Sequence, residues 1–178
     1  MLAQREHSVA ELRRKLIRHL QMQARVEAAA AAAALASELP PAGRGEPAHE
    51  ASADDAASRV DTVIDWLREH QHLSEERFVE SRVHARSSRY GNLRIRQELA
   101  QHGLALSTEA AQALKDSELE RALQVWRRKF DVSAAADAAE RARQSRFLAQ
   151  RGFSAETIAR VMREAGRRRA AASDFDAD

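Results

Sequence analysis

A helix-ending phrase recurs along this chain, and it constrains the fold more than any other feature. One copy reads Arg96-Gln97-Glu98-Leu99-Ala100-Gln101-His102-Gly103-Leu104, another Ser145-Arg146-Phe147-Leu148-Ala149-Gln150-Arg151-Gly152-Phe153. A fainter copy without the glycine reads Arg13-Arg14-Lys15-Leu16-Ile17-Arg18-His19-Leu20. Helix formers closed by Gly and followed by an apolar residue mark a helix that stops in a left-handed turn. Repetition of that mark implies an array of small helical units, none able to bury much apolar area alone.

The spacing of apolar residues fills in the helices between these marks. Ser8-Val9-Ala10-Glu11 has the pattern of a capping box, and Leu12, Leu16 and Leu20 follow at four-residue intervals. Val60, Val63, Ile64 and Leu67 form a stripe, with Trp66 expected to pack beside it. Ser74 is the expected cap of a helix running to Ser88, broken by Tyr90-Gly91-Asn92. A helix over roughly 93–102 follows, then one capped by Ser107 or Thr108 and ending near Lys115. Ser117-Glu118-Leu119-Glu120 reads as a second capping box, opening a helix with Leu119, Ala122, Leu123, Trp126 and Phe130 on one face. A helix over about 135–151 and one capped by Ser154, with Ile158, Val161, Met162 and Ala165 aligned, complete the order. No segment alternates with period two. The expected fold is all-α, an elongated tandem array of three-helix, helix-turn-helix-like repeats. Their boundaries are read as 1–69, 73–116 and 117–169, with a disordered acidic tail over 170–178.

Glu27 to Ala36 is nearly all alanine and extends a helix; Pro40, Pro41 and Pro47 end it. About 38–57 is read as a disordered loop inside a low-complexity acidic insert, about 26–58. From Val26 to Ser58 one arginine faces six acids, a net of −5, which leaves +7 on the rest of a chain whose total is +2. The remainder is therefore basic enough to seek an anionic partner.

The basic residues cluster. Arg82, Arg86, Arg89, Arg94 and Arg96 fall in a stretch, Ser81 to Gln97, without Asp or Glu. Arg82, Arg86 and Arg89 are spaced to share one helix face, and Arg94 and Arg96 open the next helix. Guanidiniums in such a group fork onto phosphates or carboxylates, and Tyr90 in their midst offers a ring for a base. Arg127, Arg128, Arg146 and Arg151 extend the stripe into the next unit. A solvated helix face is the bland alternative for each group; their recurrence favours a binding stripe.

Other chemistries have little support. There is no cysteine, so disulfides, thiolate metal sites and a thiol nucleophile are excluded. His70 and His72 are two apart and diverge on a helix, and no His-Glu-x-x-His, P-loop, GxGxxG or Gly-x-Ser-x-Gly pattern occurs. No catalytic residue, metal or cofactor is expected. With no secretory signal and no apolar run of membrane-spanning length, the protein is expected to be cytoplasmic.

The residues resemble one family. Arg89-Tyr90-Gly91, followed by Arg94-Ile95-Arg96-Gln97-Glu98-Leu99 and Gly103, is similar to the central motif of the RecX family, regulators of the bacterial recombinase RecA. Arg5-Glu6-His7-Ser8 with Glu11-Leu12-Arg13-Arg14-Lys15-Leu16, Leu73-Ser74-Glu75-Glu76-Arg77-Phe78, and Phe147-Leu148 with Arg151-Gly152-Phe153-Ser154 and Ile158 resemble its other repeats, in order. The resemblance implies a chain of three-helix repeats lying in the groove of the RecA–single-stranded DNA filament. There it would inhibit ATP hydrolysis, strand exchange and coprotease activity. It also implies a helix before Arg5, of which 1–4 would be only the last turn, and it leaves the first repeat without a closing glycine, Leu20 standing there. The family's basic surface residues fall on Arg89, Arg94 and Arg96. The expected partner is thus the RecA filament, with weak direct DNA binding, no membrane, and a monomeric chain. The alternative is a sequence-independent DNA-binding or helix-turn-helix regulatory protein, against which stands the absence of an evident dimerisation element.

Overall fold

The computed structural model of the chain describes residues 5–38, 51–130 and 137–175. Among these the regular elements are all α-helices: α1 (Val9–Glu38), α2 (Ala51–Glu69), α3 (Glu75–Ser87), α4 (Asn92–Ala100), α5 (Thr108–Asp116), α6 (Glu118–Arg127), α7 (Ala138–Gln150) and α8 (Ala155–Phe175). None is long and apolar enough to cross a membrane among the described residues. The chain divides into two compact units, Met1–Phe78 and Val79–Asp178.

In the first unit α1 and α2 pack on each other through Leu12, Val60, Ile64, Leu67 and the following Leu73, with Val9, Leu16, Ile17 and Leu20 at the margin. Ser8 accepts the Glu11 N–H at 3.1 Å, as the capping pattern requires. Arg13 meets both oxygens of Asp61, at 2.7 and 2.8 Å, across the two helices. Packing stops at Leu20 but the helix does not: every residue from Gln21 to Ala33 is exposed. This exposed stretch is held by alanine's helix propensity rather than by burial. Trp66 does not pack into the core. It is 51 % exposed and stacks on His70, ring centres 4.2 Å apart.

The second unit is built around Ala122, Val125, Trp126, Phe130, Leu148, Phe153, Val161 and Ala165, from α6 to α8. Ile95 and Leu99 of α4 are fully buried. Trp126 keeps its indole N–H satisfied on Gln144 at 3.1 Å.

The recurring phrase is a recurring turn. Leu104 N–H donates to Leu99 O (3.1 Å) and Gly103 N–H to Ala100 O (2.9 Å), with Gly103 at φ 73°. Phe153 to Leu148 (3.2 Å) and Gly152 to Ala149 (2.9 Å) repeat the pattern, with Gly152 at φ 79°. Both are Schellman turns. The fainter copy has none, because α1 continues through Leu20. A third turn of the same pattern closes α2 instead: His72 donates to Leu67 O (2.9 Å) and Gln71 to Arg68 O (3.1 Å), with Gln71 at φ 59°.

Four further expectations need correction. The segment read as a loop over 38–57 is helical from Ala51, where Asp54 and Asp55 sit near the positive end of the helix dipole. The tail read as disordered from 170 begins within α8, which reaches Phe175 on a run of alanines; 176–178 lie outside the described residues. Ser117 makes no cap bond to α6; its hydroxyl donates to Ala113 O at 2.9 Å, closing α5. Arg89 lies in the turn after α3, not on the helix face of Arg82 and Arg86. The expected 1–4 helical turn lies outside the described residues.

Candidate functional site at the Tyr90 turn

The turn between α3 and α4 is held by backbone. Arg89 and Tyr90 N–H groups both donate to Arg86 O at 3.0 Å, ending α3. Gly91 caps α4 with no side chain to offer, so the first N–H groups of that helix need partners from elsewhere. Asn92 donates to the Glu118 carboxylate (3.0 Å), and Leu93 to Gly152 O (3.0 Å). Gly91 itself donates to Arg151 O at 2.9 Å. The Gly152 turn therefore lies directly on the Gly91 turn. A Cβ added at Gly91 would stand 2.3 Å from Gly152 O, and one at Gly152 would stand 2.6 Å from Arg94 Cβ.

Beneath the turn, one face of α6 supplies a charge pair that the linear sequence conceals. Glu118, 4 % exposed, accepts from Asn92 N–H, Ser154 Oγ (2.7 Å) and Thr157 Oγ1 (2.8 Å), so one carboxylate serves the starts of α4 and α8. Arg121 donates to Tyr90 O (3.0 Å), Ser87 O (3.3 Å), Leu114 O (2.9 Å) and Asn92 Oδ1 (2.6 Å), serving the ends of α3 and α5. Burial pushes the Glu118 carboxyl up, but the bonds from Asn92, Ser154 and Thr157 outweigh it and hold the group below its ordinary value. Burial draws the Arg121 guanidinium down, partly offset by Glu118. Sequence reading passed over both, taking Glu118 for a local cap. The partners of Glu118 lie 26 to 39 residues away, and Arg121 reaches back to Ser87, 34 residues away, beyond any local pattern.

Above the turn lies a polar groove of about 490 Å³, lined by Arg82, Arg86, Arg94, Glu98, Gln101 and His102 among others. Arg86 and Arg94 flank Tyr90, their guanidinium carbons 5.8 and 4.4 Å from the ring centre. Glu98 is the acidic side chain in the lining, 2.8 Å from Arg86 Nε and 3.6 Å from Arg94 Nε. The structure thus brings together Arg82, Arg86, Tyr90 and Arg94 from the expected set. Arg96 is exposed and, two residues from Arg94 on a helix of 3.6 residues per turn, points elsewhere. Arg127, Arg128 and Arg146 are exposed on α6, its C-cap and α7. Arg151 lies over the Phe147 ring at 4.4 Å. No group of three or more His, Asp or Glu converges as a metal site among the described residues. The arrangement suits non-covalent recognition of an anion by forked donors beside an aromatic ring.

Residues 74–114 match the family described as RecX, second three-helix domain, and residues 116–162 that described as RecX, third three-helix domain. The chain is 40% identical to the Regulatory protein RecX of Leptothrix cholodnii over 164 residues, covering 91% of this chain and 82% of the relative. It is 40% identical to that of Ralstonia nicotianae, over 92% and 82% of the two chains. Against that of Herbaspirillum seropedicae identity is 50%, over 56% and 65%.

Proposed function

The chain belongs to the RecX family of regulatory proteins, not enzymes, and from that membership we propose that it binds the filament RecA forms on single-stranded DNA and restrains it. Binding lowers ATP hydrolysis, strand exchange and coprotease activity. The observation that carries this reading is the groove at the Tyr90 turn, where three arginines face one carboxylate. That surface suits either the phosphates of the strand or carboxylates of the filament protein. The chain acts as a monomer with three repeats, 1–69, 73–116 and 117–169, and the last two carry the contacts. Exposed Arg89, Arg96, Arg127, Arg128 and Arg146, with Arg151, add weaker contacts that several filament subunits meet at once.

The test is the DNA-dependent ATPase of RecA with substoichiometric amounts of this protein. The wild-type chain is expected to inhibit. The Arg82→Ala/Arg94→Ala variant is expected to need about tenfold more protein for half inhibition, since a hydrogen bond to a charged group is worth about 1.5–3 kcal/mol. Its helical circular dichroism should be unchanged. Full inhibition by the variant overturns the site; no inhibition by the wild type overturns the function. Affinity for bare DNA against a preformed filament separates this reading from a sequence-independent DNA binder, for which the two would be equal.

A further inference from the structure

The groove beside Tyr90 already contains an anion. The Glu98 carboxylate reaches into it between two guanidiniums, Oε2 toward Arg86 Nε at 2.8 Å and Oε1 toward Arg94 Nε at 3.6 Å. Each arginine offers five donors; Arg86 gives Glu98 one hydrogen bond through Nε, and Arg94 stands at ion-pair distance. The Nη groups of Arg86 and Arg94 make no hydrogen bond among the described residues. Two acceptor oxygens bridging two guanidiniums is also the geometry that the non-bridging oxygens of a phosphodiester present.

We propose that Glu98 is the resident counterion of a phosphodiester-binding groove. It holds the position that a backbone phosphate of single-stranded nucleic acid takes on binding, and it sets affinity by competing for Arg86 and Arg94. The proposal rests on the function given above, in that the strand is the one within the filament. Two features favour a phosphodiester over a protein carboxylate. Tyr90 lies against the same two arginines and offers an aromatic ring beside the phosphate position, as strand-binding surfaces do. Gln101 and His102 extend the lining with polar groups able to meet sugar and base edges. With Glu98 in place the groove carries three arginines and one carboxylate. Displacing that carboxylate exposes the full positive charge to the incoming strand.

The inference predicts a gain of function from a loss of charge. Labelled homothymidine oligonucleotide is titrated with the full-length chain across a salt series, and the same preparations are assayed for inhibition of RecA ATPase. Glu98→Gln keeps the shape and removes the charge; it should bind the oligonucleotide about fivefold tighter, with a steeper salt dependence. Glu98→Ala, as a second variant, should do the same. Wild-type affinity and slope in both variants overturn the proposal, while an inhibiting wild type leaves the function intact. Tighter binding to the filament without tighter binding to the oligonucleotide also overturns it, and assigns the groove to protein carboxylates. If the wild type fails to inhibit, the function falls, and the oligonucleotide titration alone decides whether Glu98 competes with phosphate.

Discussion

Glu118 and Arg121 stand one turn apart on α6 and between them touch four helix ends, so protonating that one buried carboxyl loosens several elements of the second unit at once. The folded-state value of Glu118 lies below its unfolded one. Its contribution is therefore complete above the unfolded value and lost as pH falls through the folded one. Chemical denaturation from pH 7 to pH 3 should show stability falling across that window, and Glu118→Gln should flatten the fall. At pH 7 the same substitution should cost about 3 kcal/mol, because it leaves buried donors without a charged acceptor. The glycines give a sharper contrast. Gly103→Ala meets open space and pays only for the left-handed backbone, about 1–2 kcal/mol. Gly152→Ala adds a collision with the Arg94 backbone, so thermal melts should show a clearly larger loss. Gln71 holds the same turn without glycine's freedom, and Gln71→Gly should raise stability by about 1 kcal/mol. The two glycine turns were legible because helix, glycine and apolar residue are local signals. The third was not, because glutamine carries no mark of positive φ.

At the level of the helix, two forces separate along α1. Its first three turns are fixed by burial of Leu12 and its neighbours, and Gln21 to Ala33 by propensity. Leu12→Ala should therefore cost about 2–5 kcal/mol in a denaturant titration. Ala30→Pro should break the exposed helical stretch, visibly lowering the helical signal, while leaving the unfolding transition of the Leu12 core in place. Local propensity made the alanine run readable in advance. At 51–57 the missing apolar periodicity hides a helix, which alanines and early aspartates suffice to form. α4 shows what propensity cannot predict. Its first turn is satisfied by Glu118 and Gly152, groups from distant segments, and only the folded chain reveals them.

Across the whole molecule, each unit carries one of the chain's two tryptophans: Trp66, half exposed, and Trp126, 1 % exposed in the core. Single-tryptophan variants, Trp66→Phe and Trp126→Phe, thus report each unit separately. Leu148→Ala should move the Trp126 transition by about 2–5 kcal/mol and leave the Trp66 transition in place; an equal shift of both would mean that the units unfold as one. The all-helical class and the basic surface could be read from spacing and charge. The division into two units could not, since it depends on contacts between segments far apart in the chain. The junction of the Gly91 and Gly152 turns has one more consequence, for anyone wishing to lengthen the protein. Repeats that meet backbone to backbone are not interchangeable beads. A designer splicing a further repeat onto this chain would have to transplant Gly91, Asn92, Glu118, Arg121 and Gly152 as a set, because any one moved alone leaves an orphaned donor or a steric collision behind.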